Sequence, residues 1–172
     1  MRKKCKSVLM LLVFTIALAF MPVPQAMADE TFSYKSPDFT LTIPSWDKFK
    51  SDNPNSVLRR VADQGTQLPG IEVTVYDQTE GKTFKDSAKA LIEVLEDKFN
   101  ATDCKTLYER EIKLQDGTPA YELEVQWKHP MVLLYTYQVI AAKDKKVVIV
   151  GVTSFSQIDD KLKQYPLSLT LK

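Results

Sequence analysis

The chain has 172 residues, 44% of them apolar, and its 23 basic and 22 acidic side chains leave a formal net charge of +1. This balance lacks the strongly basic surface that nucleic-acid-binding proteins present, so we exclude nucleic acid as a partner. Two cysteines and one histidine are too few ligands for a structural zinc site.

Residues 1–28 have the three-part pattern of a secretory signal peptide. The segment before Ser7 carries four basic residues, and Val8 to Phe20 is an apolar run interrupted by a single threonine. Small residues at Ala26 and Ala28 fit the positions that a signal peptidase reads, so we predict cleavage after Ala28. The run is shorter than the roughly 18 apolar residues of a membrane span, which disfavours the alternative of an uncleaved anchor.

Export would leave residues 29–172 as one soluble domain in the periplasm or outside the cell. The cleaved segment removes four of the 23 basic residues, so 19 remain against 22 acidic ones and the net charge becomes about −3. No cysteine follows the apolar run where a lipid anchor would be attached, so we expect no stable membrane anchor after cleavage.

Cysteine usage agrees with export. Cys5 leaves with the signal peptide, and the remaining Cys104 therefore has no partner for an intramolecular disulfide. We interpret Cys104 as a small buried residue. An intermolecular disulfide is the alternative, because an unpaired cysteine in an oxidising compartment can find a partner on another chain.

Alternating apolar residues predict four strands in the first half of the domain. Thr31–Lys35 and Phe39–Ile43 flank a proline-containing turn, and Val57–Ala62 follows after a loop. A further loop at 63–70 leads to a strand that begins at Ile71, where apolar and polar residues again alternate.

A helix is predicted next, from Phe84 to Phe99. Thr83 can cap its start and Asp86, three residues later, can close a capping box. Apolar residues between Phe84 and Phe99 recur at helical spacing and form one stripe, which predicts docking on a sheet.

The second half reads as an antiparallel meander. Thr106–Leu114 runs into Asp116-Gly117, a dipeptide typical of a two-residue hairpin turn. On the return strand Tyr121 to Trp127, apolar residues alternate with Glu122 and Glu124. This alternation predicts one face in the core and one face in water.

The chain ends with two buried strands and a short helix. Met131–Ala142 and Val147–Val152 are apolar on both faces, which indicates strands covered on both sides. Ser156–Gln164 is predicted to be a helix capped by Ser156. Strands, a long helix, a meander and a terminal helix together predict an α+β domain, an antiparallel β-sheet flanked by helices in an αβα sandwich.

The sequence contains no recognisable catalytic or metal-binding constellation, and we predict no catalytic residue, metal or cofactor. His129 is the single candidate for a histidine base, and it stands beside Pro130 in a predicted turn. No serine lies in the G-x-S-x-G pattern of a nucleophile elbow. No closely spaced set of carboxylates with a turn glycine predicts a calcium loop.

Four residues are weak candidates for ligand contact. Trp127, Tyr135 and Tyr137 lie on neighbouring predicted strands and suit a groove for an apolar ligand, with His129 close by in sequence. Packing of the same aromatic rings in the core under the helix is the competing explanation.

Two segments resemble a known family. Phe32 to Trp46, with two strands entering a Pro44-Ser45-Trp46 corner, resembles the start of PsbP-like proteins. The order from the Phe84 helix through Gly117-Thr118-Pro119-Ala120-Tyr121-Glu122 to the strand ending at Ser154-Phe155 is also similar. The chain therefore looks like the PsbP/DcrB-like superfamily, whose αβα sandwich is shared with a eukaryotic Ran-binding import factor.

The resemblance implies a non-enzymatic accessory such as an extrinsic photosystem subunit, an envelope protein or an adaptor. The metal-associated histidines of plant members cannot be carried over, because His129 stands alone, and the lipoprotein cysteine of many cyanobacterial members is missing. Both departures argue against a photosystem role. We therefore expect an exported protein that binds another envelope or secreted protein. The alternatives are a carrier of a small apolar ligand in a cleft between sheet and helix, and a hydrolase with a dispersed site around His129.

Overall fold

A computed structural model describes residues 28–172. The predicted signal peptide lies, except for Ala28, outside the described residues, and its cleavage stays a prediction. In residues 28–172 no helix combines the length and the apolar character that a membrane crossing requires.

The described chain folds into ten strands and two helices, which follow one another without a long irregular insertion. In chain order they are β1 (Glu30–Lys35), β2 (Asp38–Ile43), β3 (Asp47–Lys48), β4 (Ser56–Val61), β5 (Gly70–Asp77), α1 (Phe84–Phe99), β6 (Thr102–Lys113), β7 (Pro119–His129), β8 (Val132–Lys143), β9 (Lys146–Ser154), α2 (Asp160–Leu167) and β10 (Thr170–Leu171).

The strands form two antiparallel sheets. The larger sheet has seven strands in the order β3-β4-β5-β9-β8-β7-β6, and the smaller has three in the order β1-β2-β10. Short β10 pairs with β2 and so joins the end of the domain to its beginning. The seven-stranded sheet confirms the predicted antiparallel β-sheet.

Each face of the seven-stranded sheet is covered by a different layer. Helix α1 covers one face, where Ala88 and Leu95 pack against Leu123, Val125 and Trp127 of β7. The three-stranded sheet and α2 cover the other face. There Phe39, Leu41 and Ile43 of β2 pack against valines of β5 and β9.

This second layer corrects the predicted sandwich in part. A helix was expected on both faces, but α2 has only eight residues and cannot cover seven strands. The alternating apolar residues of β2 supply the missing cover, because their buried face needs a partner surface as much as that of a helix does.

The long helix is confirmed with its predicted start. Thr83 is the N-cap: its Oγ1 accepts from Asp86 N at 3.4 Å, and Asp86 Oδ2 accepts from Thr83 N at 2.7 Å. Asn100 ends the helix in the left-handed region at φ 49°. The predicted apolar stripe is complete only as far as Leu95, since Phe99 is half exposed and its ring touches Trp127 at a centroid distance of 6.1 Å.

Two local predictions in the second half need correction. The β6–β7 hairpin was expected to have a two-residue turn, in which both central residues favour positive φ, but only Gly117 has positive φ, at 84°. Gly117 N donates to Leu114 O at 2.9 Å, which makes a four-residue turn that ends in a left-handed glycine. Strand β6 also begins at Thr102, four residues earlier than predicted, and carries two register shifts near its start.

The last helix begins later than predicted. Asp159, not Ser156, is its N-cap, since Asp159 Oδ1 accepts from Leu162 N at 2.8 Å. Ser156 instead lies just past β9, where its N–H donates to Ser154 Oγ at 3.3 Å. A carboxylate at the cap also suits the positive end of the helix dipole.

Candidate functional site

The polar face of β7 is buried, contrary to the prediction that it meets water. Glu122 is 2% exposed and Glu124 is fully buried. These two carboxylates project toward the layer that contains α2. Glu124 lies between Tyr108 of β6 and Tyr137 of β8, and Glu122 lies next to Arg110 of β6. Burying a carboxylate is unfavourable unless it is paired, so the partners of the two glutamates define the site.

Glu122 is held by one neutral and one charged donor. The Tyr137 hydroxyl donates to Glu122 Oε2, and Arg110 Nε donates to Glu122 Oε1. Burial and this contact raise the pKa of Tyr137, so the tyrosine stays protonated and remains a donor. The hydrogen bond to Glu122 likewise raises the pKa of Arg110. Glu122 therefore joins the edge strand β6 to the central strand β8.

Glu124 is paired with a cation from α2. Lys163 Nζ lies 2.8 Å from Glu124 Oε2, and only 18% of the lysine side chain is exposed. The contact lacks the angles of a hydrogen bond, and within residues 28–172 neither oxygen of Glu124 receives one. Charge attraction therefore carries this pairing.

Two aromatic rings complete the surroundings of the Lys163 ammonium group. Nζ lies 5.0 Å from the ring centre of Tyr108 and 5.5 Å from that of Tyr137, within the range of a cation–π interaction. Burial alone would lower the pKa of Lys163, but the contacts with Glu124 and Tyr108 outweigh it and raise the pKa. The lysine is thus a charged tether that holds α2 to the sheet.

A cavity of about 540 Å³ opens beside these ion pairs, between α2 and strands β6–β8. Its lining mixes aromatic, charged and amide side chains: Tyr108, Glu109, Arg110, Glu122, Tyr137, Asp160, Lys163, Gln164 and Leu167. Its size lies within the range of small-molecule pockets, about 300–1,000 Å³. We refer to it below as the α2 cavity.

The four predicted contact residues do not converge on one site. Trp127 is buried on the α1 side of the sheet, where its Nε1 donates to Thr136 Oγ1 at 3.0 Å. Tyr137 is buried on the opposite side and lines the α2 cavity, while Tyr135 is half-buried on that same side. His129 is exposed at the end of β7, outside the lining of the cavity.

Sequence reasoning did not identify Glu122, Glu124 and Lys163 as site residues, because the sequence pattern around the glutamates indicated a solvent-exposed face. A strand with alternating glutamates is typical of a half-exposed strand. The neighbouring strand β8 carried evidence for burial, because it is apolar on both faces and such strands are covered on both faces. Since β7 pairs with β8 along its length, the same cover extends over Glu122 and Glu124.

A second feature is an exposed apolar surface at one end of the large sheet. Seven large apolar residues of the described chain are exposed, and five of them lie where α1 and β9 end and the β7–β8 turn begins. These five, which we call the apolar end, are Phe99, Met131, Val132, Leu133 and Phe155. Pairing of Thr102 with Lys128 places the end of α1 beside this turn.

Other reactive groups of the described chain do not form a site. Residues 28–172 contain no cluster of three or more potential metal ligands of the histidine, cysteine and carboxylate type. Cys104 is a free, half-buried thiol on β6. Burial, together with the nearby carboxylates of Glu96 and Asp103, raises its pKa and so lowers its thiolate fraction at neutral pH.

Comparison with known proteins identifies the architecture. No model of a protein family matches the sequence, and no curated protein matches it. Among solved structures, cyanobacterial PsbP (CyanoP) from Synechocystis sp. PCC 6803 matches with a TM-score of 0.65 at 12% identity, over 88% of this chain and 96% of that one. The chain has a PsbP-like fold.

The Ran-binding protein Mog1p of Saccharomyces cerevisiae shares the same PsbP-like architecture. It matches with a TM-score of 0.60 at 10% identity, over 84% of this chain and 96% of Mog1p. The predicted resemblance to PsbP-like proteins is thereby confirmed for the fold. At these identities the likeness carries over no residue of the α2 cavity or of the apolar end.

Proposed function

We propose that this protein is an exported, non-enzymatic accessory that binds another envelope or secreted protein through the apolar end. The observation that carries the proposal is the gathering of five exposed apolar residues at one end of the sheet. Met131, at the tip of the β7–β8 turn, is 96% exposed. Exposed large apolar side chains gathered at one end of a fold mark a candidate interaction site.

The charges around the apolar end favour a protein over an anionic membrane surface. Lys128 Nζ is already paired with Asp103 Oδ2 at 2.9 Å. Asp97 precedes Lys98 near the end of α1, so acidic as well as basic side chains flank the apolar residues. Membrane-surface sites add an excess of basic side chains to their apolar residues. We therefore assign the apolar end to a partner protein that presents an apolar, weakly charged surface.

The PsbP-like fold supports this assignment. Mog1p, a Ran-binding protein, shows that this architecture serves protein recognition in at least one of its members. For this chain, the N-terminal signal pattern supports an encounter in the periplasm or outside the cell. A hydrolase acting through His129 has less support, because His129 stands apart from the buried carboxylates.

Site-specific photocrosslinking tests the proposal. A photoreactive amino acid is placed at Met131 and, as the matched control, at Gln115, which is exposed on the hairpin turn at the opposite end of β7. We expect a discrete protein adduct from position 131 in the native envelope and none from position 115. The adducted protein is then identified, purified and titrated against the wild-type protein.

A substitution pair completes the test. Met131→Glu places a charge in the apolar end without touching the core, and we expect it to weaken binding of the purified partner at least about tenfold. Tyr76→Glu, at an exposed apolar residue outside the apolar end, should leave the affinity unchanged. The proposal would be contradicted if both variants bound the partner with equal affinity. It would also be contradicted if the protein with the photoreactive amino acid at position 131 bound only to anionic vesicles.

A further inference from the structure

The α2 cavity is separate from the apolar end and calls for its own explanation. None of the five residues of the apolar end lines the cavity. Glu122, on the cavity wall, lies seven residues before His129 on β7, about 23 Å along an extended strand from the β7–β8 turn.

Both cations next to the cavity are already paired with carboxylates, and the lining carries both signs of charge. Arg110 is bound to Glu122, and Lys163 to Glu124. An anionic ligand would face the carboxylates of Glu109 and Asp160, which also line the cavity, and a cationic ligand would face Arg110 and Lys163. Drawing Lys163 away would leave buried Glu124 uncompensated, which is strongly unfavourable. A neutral ligand leaves both ion pairs in place.

Hydroxyl groups suit the remaining hydrogen-bonding capacity of the cavity. Arg110 uses only Nε on Glu122, and its side chain is 71% exposed, so its terminal nitrogens are available as donors. Asp160 offers acceptors at the rim, and the Gln164 amide offers a donor and an acceptor. A hydroxyl both donates and accepts, so adjacent hydroxyls can serve these groups together without breaking an ion pair.

The cavity also has an apolar wall. Tyr108 contributes a half-buried aromatic ring and Leu167 a half-buried aliphatic side chain. A ring-shaped ligand with an apolar face and hydroxyls at its edge would contact both kinds of surface. A volume of about 540 Å³ has room for one or two such rings.

We infer that the α2 cavity is a binding site for a neutral, polyhydroxylated ligand, namely one or two uncharged sugar units. Arg110, Asp160 and Gln164 hydrogen-bond the hydroxyls, and Tyr108 and Leu167 contact the ring face. The site is independent of docking at the apolar end.

Ligand-detected and methyl NMR test this inference on residues 29–172. The neutral probes are glucose, galactose, mannose, N-acetylglucosamine, maltose and cellobiose, and the charged probes are spermidine and inorganic phosphate. We expect at least one neutral sugar to show saturation transfer and to shift the Leu167 methyl signals. The charged probes should leave those signals in place.

Two glutamine variants locate the binding. Gln164→Ala removes a lining amide and should weaken sugar binding about three- to tenfold, the effect of one hydrogen bond to a neutral group. Gln157→Ala, at an exposed glutamine that precedes α2 and lies outside the lining, is the matched control and should leave binding unchanged. Both side chains are exposed, so neither variant should perturb folding.

Three results would overturn the inference. The first is that none of the six sugars shifts the Leu167 signals at high millimolar concentration. The second is that spermidine or phosphate shifts them and the sugars do not. The third is that the two glutamine variants bind alike. Crosslinking at Met131 is unaffected by each of these results, so failure of this inference leaves the protein-docking proposal standing.

Discussion

Replacing Lys163 by methionine should strongly destabilise the fold. The substitution keeps the length of the side chain and its apolar contacts with Tyr108 and Tyr137, but removes the charge. Glu124, fully buried and without a hydrogen bond from the rest of the described chain, would then have no counter-charge. The decrease in unfolding free energy therefore measures how much the burial of Glu124 depends on its ion pair with Lys163.

The expected magnitude follows from the burial of the pair. Removing one partner of a buried ion pair costs about 3–5 kcal/mol of unfolding free energy. Lys163 borders the α2 cavity and 18% of its side chain is exposed, so we expect the lower end, about 3 kcal/mol. For a domain of this size that corresponds to a fall in Tm of about 6–12 °C. The double variant Lys163→Met/Glu124→Met should lie within about 1 kcal/mol of the wild type, since it leaves no unpaired charge.

Urea unfolding followed by tryptophan fluorescence provides the measurement. Trp127 lies in the core cluster under α1, so its emission reports global unfolding. Lys161→Met, at an exposed lysine of the same helix, is the control and should change stability by less than about 0.5 kcal/mol. The reasoning is refuted if Lys163→Met and Lys161→Met are equally stable, or if the double variant is no more stable than Lys163→Met alone.

Three further predictions concern other parts of the domain. Burial and its hydrogen bond to Asp29 raise the pKa of Tyr165 to about 12. Its contribution to stability is therefore complete below about pH 10 and is lost as the pH rises to 12. Tyr165→Phe should reduce the fall in the urea midpoint between pH 10 and 12, and an unchanged fall would contradict this prediction. Gly117→Ala forces a side chain to φ 84° and should cost about 1 kcal/mol in urea titrations, whereas Gly65→Ala, without positive φ, should cost less than half as much. The raised pKa of Cys104 predicts slower reaction with a thiol reagent at pH 8 in the folded protein than after unfolding in urea, and a monomer band on non-reducing gels; a disulfide-linked dimer would support the alternative.

The pattern of elements was readable from the sequence because it depends on neighbours along the chain. The period-two alternation in β2 identified a strand with one buried face, and Thr83 with Asp86 identified the start of α1. The same reasoning predicted the wrong start for α2, where two nearby residues can each cap a helix. Ser156 and Asp159 are both residue types that cap helices. Asp159 is the N-cap, because Ser156 is held at the end of β9 by its hydrogen bond to Ser154.

Burial of the polar face of β7 was decided by the tertiary structure. Alternation shows which residues share a face of a strand, but the cover of that face comes from elements distant in sequence. Lys163 is 39 residues away from Glu124 along the chain and meets it only because α2 packs against β8 and β9, next to β7. The sequence by itself therefore determined an α+β domain and the sides of its strands. Only packing between distant elements turned Glu122 and Glu124 from expected surface residues into buried partners of Arg110 and Lys163, because electrostatic pairing in the interior depends on distance in space and not on spacing along the chain.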